Sequence, residues 1–214
     1  MHALIVCGGI PPTKKLLATE MKKAQLNIGA DSGGYAFLGF GFRPDLVIGD
    51  LDSFKYTNHE GLNVIYDADQ ETNDLEKALK YAIGKGASSC TVLGALGRRF
   101  DHSVKNLSVL LQFNQKFERL LFRDDYGDLF LVKSGYQLNF PADTIISFLP
   151  VGGPVQGFTS RGVLYPLTNA ALAMGVQDGT SNKITESGGQ VTFTSGNLCV
   201  FVGTGEKANK LKRE

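Results

Sequence analysis

The sequence has little of two residue types that often build protein sites, and each shortage narrows the possible classes of protein. Only three cysteines occur in 214 residues, Cys7, Cys90 and Cys199, and no two of them form a C-x-x-C pair. This odd number and wide spacing argue against a disulfide framework or a thiolate zinc centre, and they predict a reducing compartment. Three histidines are too few for a histidine-rich metal centre. We therefore expect a cytoplasmic protein.

Excess charge of one sign and long apolar runs are also missing. The 22 basic and 21 acidic residues leave a net charge of +1, which argues against the cationic surface that a general nucleic-acid binder needs. No apolar segment approaches the about 20 residues of a membrane-spanning helix, and the run at residues 3–7 is too short for the core of a signal peptide. We expect neither a nucleic acid nor a membrane as a partner.

Several well-known site motifs are missing as well. The sequence contains no G-x-x-x-x-G-K-[ST], no G-x-G-x-x-G placed after a strand, no H-E-x-x-H and no G-x-S-x-G. A Walker-type nucleotide site, a zinc protease centre and a nucleophile elbow are therefore not expected.

The first half of the chain alternates short apolar runs with helical patterns. Four runs that end in glycine-containing loops predict strands: ALIVCGG, QLNIGADSGG, DLVIGDLDS and SSCTVLGALG. Apolar residues recur at helical spacing in ETNDLEKALKYAIGKG and DHSVKNLSVLLQF. Apolar strands that alternate with helices indicate a parallel sheet covered on both faces. We predict an α/β domain over residues 1–125.

From residue 126 onward, short alternating runs are broken by Gly, Pro, Asn and Ser. This pattern is typical of antiparallel strands, and SGN between QVTFT and LCVFVG predicts a β-hairpin. The one interruption, TNAALAMG at residues 168–175, predicts one or two helical turns. We predict an antiparallel β domain over residues 126–214.

Acidic side chains follow the predicted strands. Ligands of open parallel sheets bind beyond the carboxyl ends of the strands, so Asp31, Asp50 and Asp52 should project into one crevice. Asp50 and Asp52 lie two residues apart in an extended segment and would point to the same side, where their oxygens suit Mg²⁺. The alternative is that Asp52 and Ser53 cap a helix or hold a turn.

Two further stretches contribute candidate residues. Asp74 in DQETNDLEKAL lies near a helix start, either as a further metal ligand or as part of an ordinary acidic first turn paired with Lys77. LGALGRRFDH bends at its glycines and presents Arg98 and Arg99 before Asp101, which suits an anion site but also a tight turn with solvated arginines. A magnesium-type acidic cluster beside arginines suits phosphoryl transfer.

Four stretches, in this order, resemble the thiamine pyrophosphokinase family: ADSGGYAFLGFGFRPDLVIGDLDS, DQETNDLEKAL, LGALGRRFDH, and GVLYPL followed by GTSNKI. The resemblance covers most of the chain, and its G-D-x-D-S core is specific. It implies an N-terminal α/β domain that binds ATP, a C-terminal β-sandwich that binds thiamine, and a homodimer with thiamine sites between subunits. The implied reaction is Mg²⁺-dependent transfer of the diphosphoryl group of ATP to the hydroxyl of thiamine, which gives thiamine diphosphate and AMP.

The resemblance also implies roles for individual residues. The residues that match the magnesium cluster are Asp31, Asp50, Asp52 and Asp74. The residues that match the nucleotide and phosphate site are Gly33, Gln70, Lys77, Arg99, Asp101 and His102. The residues that match the thiamine site are Tyr165, Leu167, Ser181 and Asn182. For this reaction we assign catalytic roles to Asp74, Arg99 and Asp101, and we expect Asp74 or another member of the acidic cluster to accept the proton of the thiamine hydroxyl.

Three positions depart from the family pattern. Arg98 replaces the second glycine of the usual Gly-Gly-Arg, Asn73 replaces a threonine, and Lys183 replaces an acidic residue. Because the chain has no tryptophan, aromatic stacking on thiamine has to come from Phe or Tyr. Two other interpretations remain: another magnesium-dependent phosphotransferase that acts on a small alcohol, and a non-catalytic dimer that binds thiamine or a nucleotide.

Overall fold

The structure is a computed structural model that describes residues 1–55, 61–185, 188–204 and 208. The chain divides into two compact units, Met1–Asp124 and Asp125–Glu214. Within the described ranges, no helix has both the length and the apolar character needed to cross a membrane.

The first unit is built on a parallel sheet. Its described strands are β1 (His2–Val6), β2 (Leu26–Ala30), β3 (Leu46–Gly49), β4 (Val64–Tyr66), β5 (Ser89–Leu93) and β6 (Arg119–Arg123). They pair in the order β6-β5-β1-β2-β3-β4, and every pair is parallel. The helices are α1 (Lys14–Met21), α2 (Gly34–Gly39), α3 (Asp74–Gly84) and α4 (Phe100–Phe113). The predicted parallel α/β architecture is confirmed.

The start of α3 shows how the sequence fixes one element that carries a candidate site residue. Asn73 accepts a hydrogen bond from the Glu76 amide, and the Glu76 carboxylate accepts one from the Asn73 amide, which together form a capping box. Leu75 and Leu79 are buried on one side of the helix. The cap and this apolar side place Asp74 in the first turn.

The second unit contains two antiparallel sheets. Its described strands are β7 (Asp128–Val132), β8 (Tyr136–Leu138), β9 (Ile145–Pro150), β10 (Val155–Arg161), β11 (Ala170–Leu172), β12 (Gly179–Lys183), β13 (Gly189–Thr192) and β14 (Leu198–Val202). One sheet has the order β12-β9-β14-β7 and the other β11-β10-β13-β8. Buried side chains from both sheets form one core, in which the rings of Phe148 and Phe158 lie 5.3 Å apart. The predicted β-sandwich is confirmed.

Two local predictions for this unit are wrong. β13 and β14 do not form a hairpin, because β13 pairs with β8 and β10 while β14 pairs with β7 and β9. The SGN turn therefore carries the chain from one sheet to the other. Residues 168–175 form strand β11 and a turn instead of a helix, because β11 pairs with β10 and tertiary pairing overrides local propensity.

Candidate active site

A cavity of about 630 Å³ lies beyond the carboxyl ends of the central strands of the first unit. The loops that follow β1, β2, β3, β4 and β5, the first turn of α3 and the first two turns of α4 line it. This is the edge of an open parallel sheet at which ligands bind. The predicted site residues that line the cavity are Asp31, Asp50, Asp52, Gln70, Asp74, Arg99 and His102.

Three carboxylates form the acidic side of the cavity. One oxygen from each of Asp31, Asp50 and Asp52 lies within 4.8 Å of the other two. Asp31 is only 4% exposed, and its Oδ1 accepts a hydrogen bond from the Phe54 amide at 3.0 Å. Gln70 lies beside the group, with Nε2 3.5 Å from Asp50 Oδ2. The structure therefore brings together the acidic residues of two separate loops.

Asp50 and Asp52 converge for a different reason from the one that the sequence suggested. Strand β3 ends at Gly49, and Leu51 has a φ of 57°, so residues 50–52 form a turn instead of an extended segment. The Asp52 amide donates to Asp50 Oδ1 at 3.2 Å, which closes this turn. The Leu51 side chain packs against the apolar cluster around Val47. The alternative interpretation of this stretch as a turn is thus correct in shape, and it is the turn that places both carboxylates in the cavity.

Asp74 lies next to this group without being one of its three members. Its Oδ1 lies 3.4 Å from the Asp50 amide nitrogen and 3.5 Å from Lys77 Nζ. Burial raises the pKa of Asp74, and the charge of Asp31 raises it further. The pKa of Asp31 is raised by burial first, and also by the charges of Asp52 and Asp50, although backbone hydrogen bonds oppose the shift. The acidic residues therefore repel one another.

A divalent cation fits this arrangement. Three carboxylate oxygens from two loops face a common point, and hard cations such as Mg²⁺ take oxygen ligands and retain open positions for phosphate oxygens or water. A cation there would also offset the repulsion that raises the pKa of Asp31.

The loop between β5 and α4 supplies the basic side of the cavity. Arg99 is 70% exposed and donates from Nε and Nη2 to the two oxygens of Asp101, the Nε bond measuring 3.1 Å. This pairing lowers the pKa of Asp101 to about 2. A guanidinium has five N–H donors, so three of those on Arg99 remain for a ligand. Asp101 itself lies outside the cavity lining and acts on it through Arg99.

Two residues that were predicted to bind the nucleotide, Gly33 and Lys77, do not line the cavity. Lys77 is 3% exposed, and its Nζ donates to the Asp67 carbonyl at 2.9 Å. Gly33 is buried where a Cβ atom would lie 1.8 Å from the Val6 carbonyl oxygen, so its lack of a side chain serves close packing of β1 and the loop after β2. Neither residue is part of the lining.

Arg98 lines the cavity as part of the candidate anion loop, and two lining residues on α4, Lys105 and Asn106, were not among the predicted site residues. Arg98 has a φ of 58° and donates from Nη1 to the Gly8 carbonyl at 3.1 Å, which joins the loops after β1 and β5. Lys105 and Asn106 lie three and four residues after His102 on α4. Their helical spacing from His102 is a sequence signal that could have identified them, because residues at these intervals share one helix face.

In the second unit, two of the four candidate residues, Tyr165 and Asn182, are in direct contact. The side chain of Asn182 is buried and forms two hydrogen bonds with the backbone of Tyr165. Its amide oxygen accepts from the Tyr165 N–H at 3.0 Å, and its amide nitrogen donates to the Tyr165 carbonyl at 2.8 Å. Ser181, adjacent on β12, has a φ of 58°, and the ring of Tyr165 is 65% exposed. Leu167 instead packs against the core of the sandwich. In the described structure, Asn182 therefore positions the segment that presents Tyr165.

Two sequence profiles match consecutive parts of the chain. Residues 17–122 match the thiamin pyrophosphokinase catalytic domain, and residues 136–198 match the thiamin pyrophosphokinase vitamin B1 binding domain. The chain belongs to the thiamin pyrophosphokinase family. The first profile contains every lining residue of the cavity except those in the loop after β1.

Individual members of the family support this assignment. Thiamine pyrophosphokinase 3 of Oryza sativa is 31% identical over 171 residues, a match that covers 72% of this chain and 63% of the rice protein. Thiamine pyrophosphokinase of Bacillus subtilis is 26% identical, with 94% of this chain and 97% of that protein covered. The crystal structure of thiamin pyrophosphokinase from Geobacillus thermodenitrificans has a TM-score of 0.79 at 27% identity and covers 97% of this chain and 100% of that one.

Proposed function

We propose that this chain transfers the diphosphoryl group of ATP to the hydroxyl of thiamine, which yields thiamine diphosphate and AMP. The observation that carries the proposal is the single cavity that combines three convergent carboxylates with Arg99, in a chain of the thiamin pyrophosphokinase family. Phosphoryl transfer depends mainly on positioning and charge stabilisation, which such a site supplies.

In this proposal the thiamine hydroxyl oxygen attacks the β-phosphorus of ATP. The new O–P bond forms as the bond from the β-phosphorus to the oxygen bridging to the α-phosphorus breaks, and AMP departs with that electron pair. We assign the hydroxyl proton to the carboxylate of Asp74, which lies beside the acidic group at the start of α3. Arg99 has free N–H donors with which it can balance charge on the departing AMP.

We infer that Asp31, Asp50 and Asp52 hold Mg²⁺, with Asp74 as a further ligand or a neighbour. Bound Mg²⁺ would supply charge neutralisation to the triphosphate. Gln70, Arg99 and His102 line the same cavity and are assigned to the nucleotide. Gly33 and Lys77 support the cavity from behind, and Asp101 orients Arg99.

For the second unit, we propose that Tyr165, Ser181 and Asn182 bind thiamine, with Leu167 supporting them from the core. The exposed ring of Tyr165 supplies an aromatic face for stacking. The unit also exposes Leu164, Met174 and Val176, and large apolar side chains at a surface favour self-association. We extend the proposal to a homodimer in the cytoplasm, where the three free, buried thiols would stay reduced. A monomer in sedimentation velocity runs at the assay concentration would contradict the dimer.

One assay separates this function from its alternatives. The protein is incubated with ATP, Mg²⁺ and thiamine, and the nucleotide product is identified by chromatography. AMP together with thiamine diphosphate is the expected result. ADP would indicate a simple phosphotransferase, and no turnover would indicate a binding protein.

Replacement of one carboxylate tests the metal assignment. We expect Asp50→Asn to lower turnover roughly 100-fold or more, because one preorganised charged group is lost from the site. The matched control is Asp143→Asn, which makes the same change at an exposed aspartate in the second unit. Full activity of a folded Asp50→Asn variant, shown by an unchanged circular dichroism spectrum, would rule out the assignment.

A further inference from the structure

A second cavity, of about 300 Å³, lies in the first unit against β1, β5, β6 and the end of α1. None of its lining residues lines the candidate active site. Those residues are His2, Glu20, Lys23, Ser89, Cys90, Thr91, Arg119, Leu121 and Arg123. We call it the basic cavity because three of these side chains are permanent cations.

A row of polar side chains on neighbouring strands forms its floor. Strand registers align His2 with Ser89 and Ser89 with Arg119. Alternate residues of a strand share a face, so Thr91 on β5 and Arg123 on β6 lie on the same face as this row. A parallel sheet that is covered on both faces normally presents apolar side chains there. This polar row at the beginning of three strands is therefore an exception to the apolar character of the sheet.

Hydroxyl groups fix the imidazole in this row. Nδ1 of His2 lies 2.9 Å from Ser89 Oγ, and Nε2 lies 3.2 Å from Thr91 Oγ1. Burial lowers the pKa of His2, and Arg119 and Lys23 also lower it, while Glu20 opposes them. The ring is therefore neutral at pH 7, because its pKa lies below the ordinary 6.5.

The side chains that line the basic cavity carry more positive than negative charge. Glu20 is 2% exposed and accepts ion-pair hydrogen bonds at 2.7 Å from both Lys23 and Arg123. Arg119 is exposed, and within the described ranges its guanidinium forms no ion pair or hydrogen bond. Three cations against one carboxylate leave a net charge of +2 with His2 neutral.

We propose that the basic cavity binds a phosphate group, either inorganic phosphate or that of a small phosphate monoester. The net charge of +2 matches a phosphate dianion, and the free guanidinium of Arg119 supplies the planar donor pair that phosphate oxygens accept. The volume holds a phosphate with a small substituent. The two ion pairs of Glu20 hold Lys23 and Arg123 in place around the site. This binding is independent of the proposed catalytic function.

Histidine NMR signals can report on both cavities in one experiment. The chain has only three histidines, of which His2 lines the basic cavity and His102 lines the candidate active site. Sodium phosphate is titrated at constant pH and ionic strength while the Cε1–H signals are followed, and His2→Gln identifies the His2 signal. We expect a saturable shift of the His2 signal with its own dissociation constant, separate from any shift of the His102 signal.

Matched variants test the site. Arg119→Gln should weaken the His2 response roughly 10-fold or more, because a hydrogen bond to a charged group is lost. Lys22→Gln removes an adjacent exposed cation that does not line the basic cavity and should leave the response unchanged. An unchanged His102 signal in Arg119→Gln shows that the fold is retained.

The source of the phosphate is decided by a parallel titration with glycerol 3-phosphate. A lower dissociation constant for glycerol 3-phosphate assigns the basic cavity to a phosphate monoester. An equal or lower dissociation constant for inorganic phosphate assigns it to the free ion. The proposal is overturned if neither compound gives a saturable His2 shift. It is also overturned if Arg119→Gln responds as the wild-type protein does.

Discussion

Replacing Gly49 with alanine tests whether the close approach of two loops sets the acidic site. A Cβ atom at this position would lie 2.9 Å from Asp31 Cβ and 2.9 Å from Asp74 Oδ1. Ordinary contacts between carbon atoms begin at ~3.5 Å, so the Asp31 Cβ atom must move by roughly half an ångström, and the Asp74 carboxylate must shift as well. The added methyl group therefore separates two carboxylates that the fold otherwise brings together.

The size of the effect follows from this displacement. A misplacement of about 1 Å can lower the rate 100-fold, so a displacement of roughly half an ångström should lower kcat roughly 10-fold. Overpacking should also reduce the free energy of unfolding by about 1–3 kcal/mol. Both quantities are measured on one preparation, the first from AMP formation over a Mg²⁺ titration and the second from urea denaturation.

Another glycine provides the control. Gly84, at the end of α3, has no atom within 4 Å of the position of an added Cβ, and its φ is not positive. We expect Gly84→Ala to retain wild-type kcat and to be at least as stable, since alanine favours helix. The reasoning is refuted if Gly49→Ala keeps wild-type kcat and the wild-type Mg²⁺ dependence.

Two further predictions concern stability. Asn73→Ala should lower the free energy of unfolding by about 1 kcal/mol in urea denaturation, because α3 loses its cap. Asn73→Asp should retain most of the wild-type stability, since aspartate also caps helices. Equal losses in the two variants would contradict a capping role. Burial alone would raise the pKa of Glu20, but the hydrogen bonds and charges of Lys23 and Arg123 outweigh it, so the pKa falls below 4.5. The stability that Glu20 contributes is therefore present above pH 4.5 and is lost as the pH falls through its lowered pKa. The free energy of unfolding should accordingly fall more steeply with decreasing pH in the wild-type protein than in Glu20→Gln, and parallel pH profiles of the two proteins would disprove this.

The sequence predicted the sheet of the first unit because its signals are local. Four apolar runs correspond to β1, β2, β3 and β5, and two helical patterns correspond to α3 and α4. Since parallel strands share a carboxyl edge, the acidic residues after β2 and β3 could be expected in one cavity. The convergence of Asp31, Asp50 and Asp52 agrees with that expectation.

Features that depend on tertiary contacts could not be predicted in the same way. The family resemblance assigned Lys77 to the nucleotide site, yet its ammonium group is buried and donates to the Asp67 carbonyl. The SGN turn has hairpin composition, yet it joins two sheets. In each case the partner that decides the outcome is distant in sequence or lies across the fold, and local pattern carries no information about it.

Backbone strain explains why the geometry of the candidate site is harder to predict than its composition. Asp31, Leu51 and Arg98 all have positive φ, and each lies in a loop of the cavity. This conformation costs about 1–2 kcal/mol for a residue with a Cβ atom, so propensity alone would place none of them there. Such residues persist only where their surroundings determine them, here the buried Asp31 carboxylate, the packed Leu51 side chain and the Arg98 bond to Gly8. Among the described residues of the first unit, the non-glycine residues with positive φ therefore all lie in the loops that carry the candidate site.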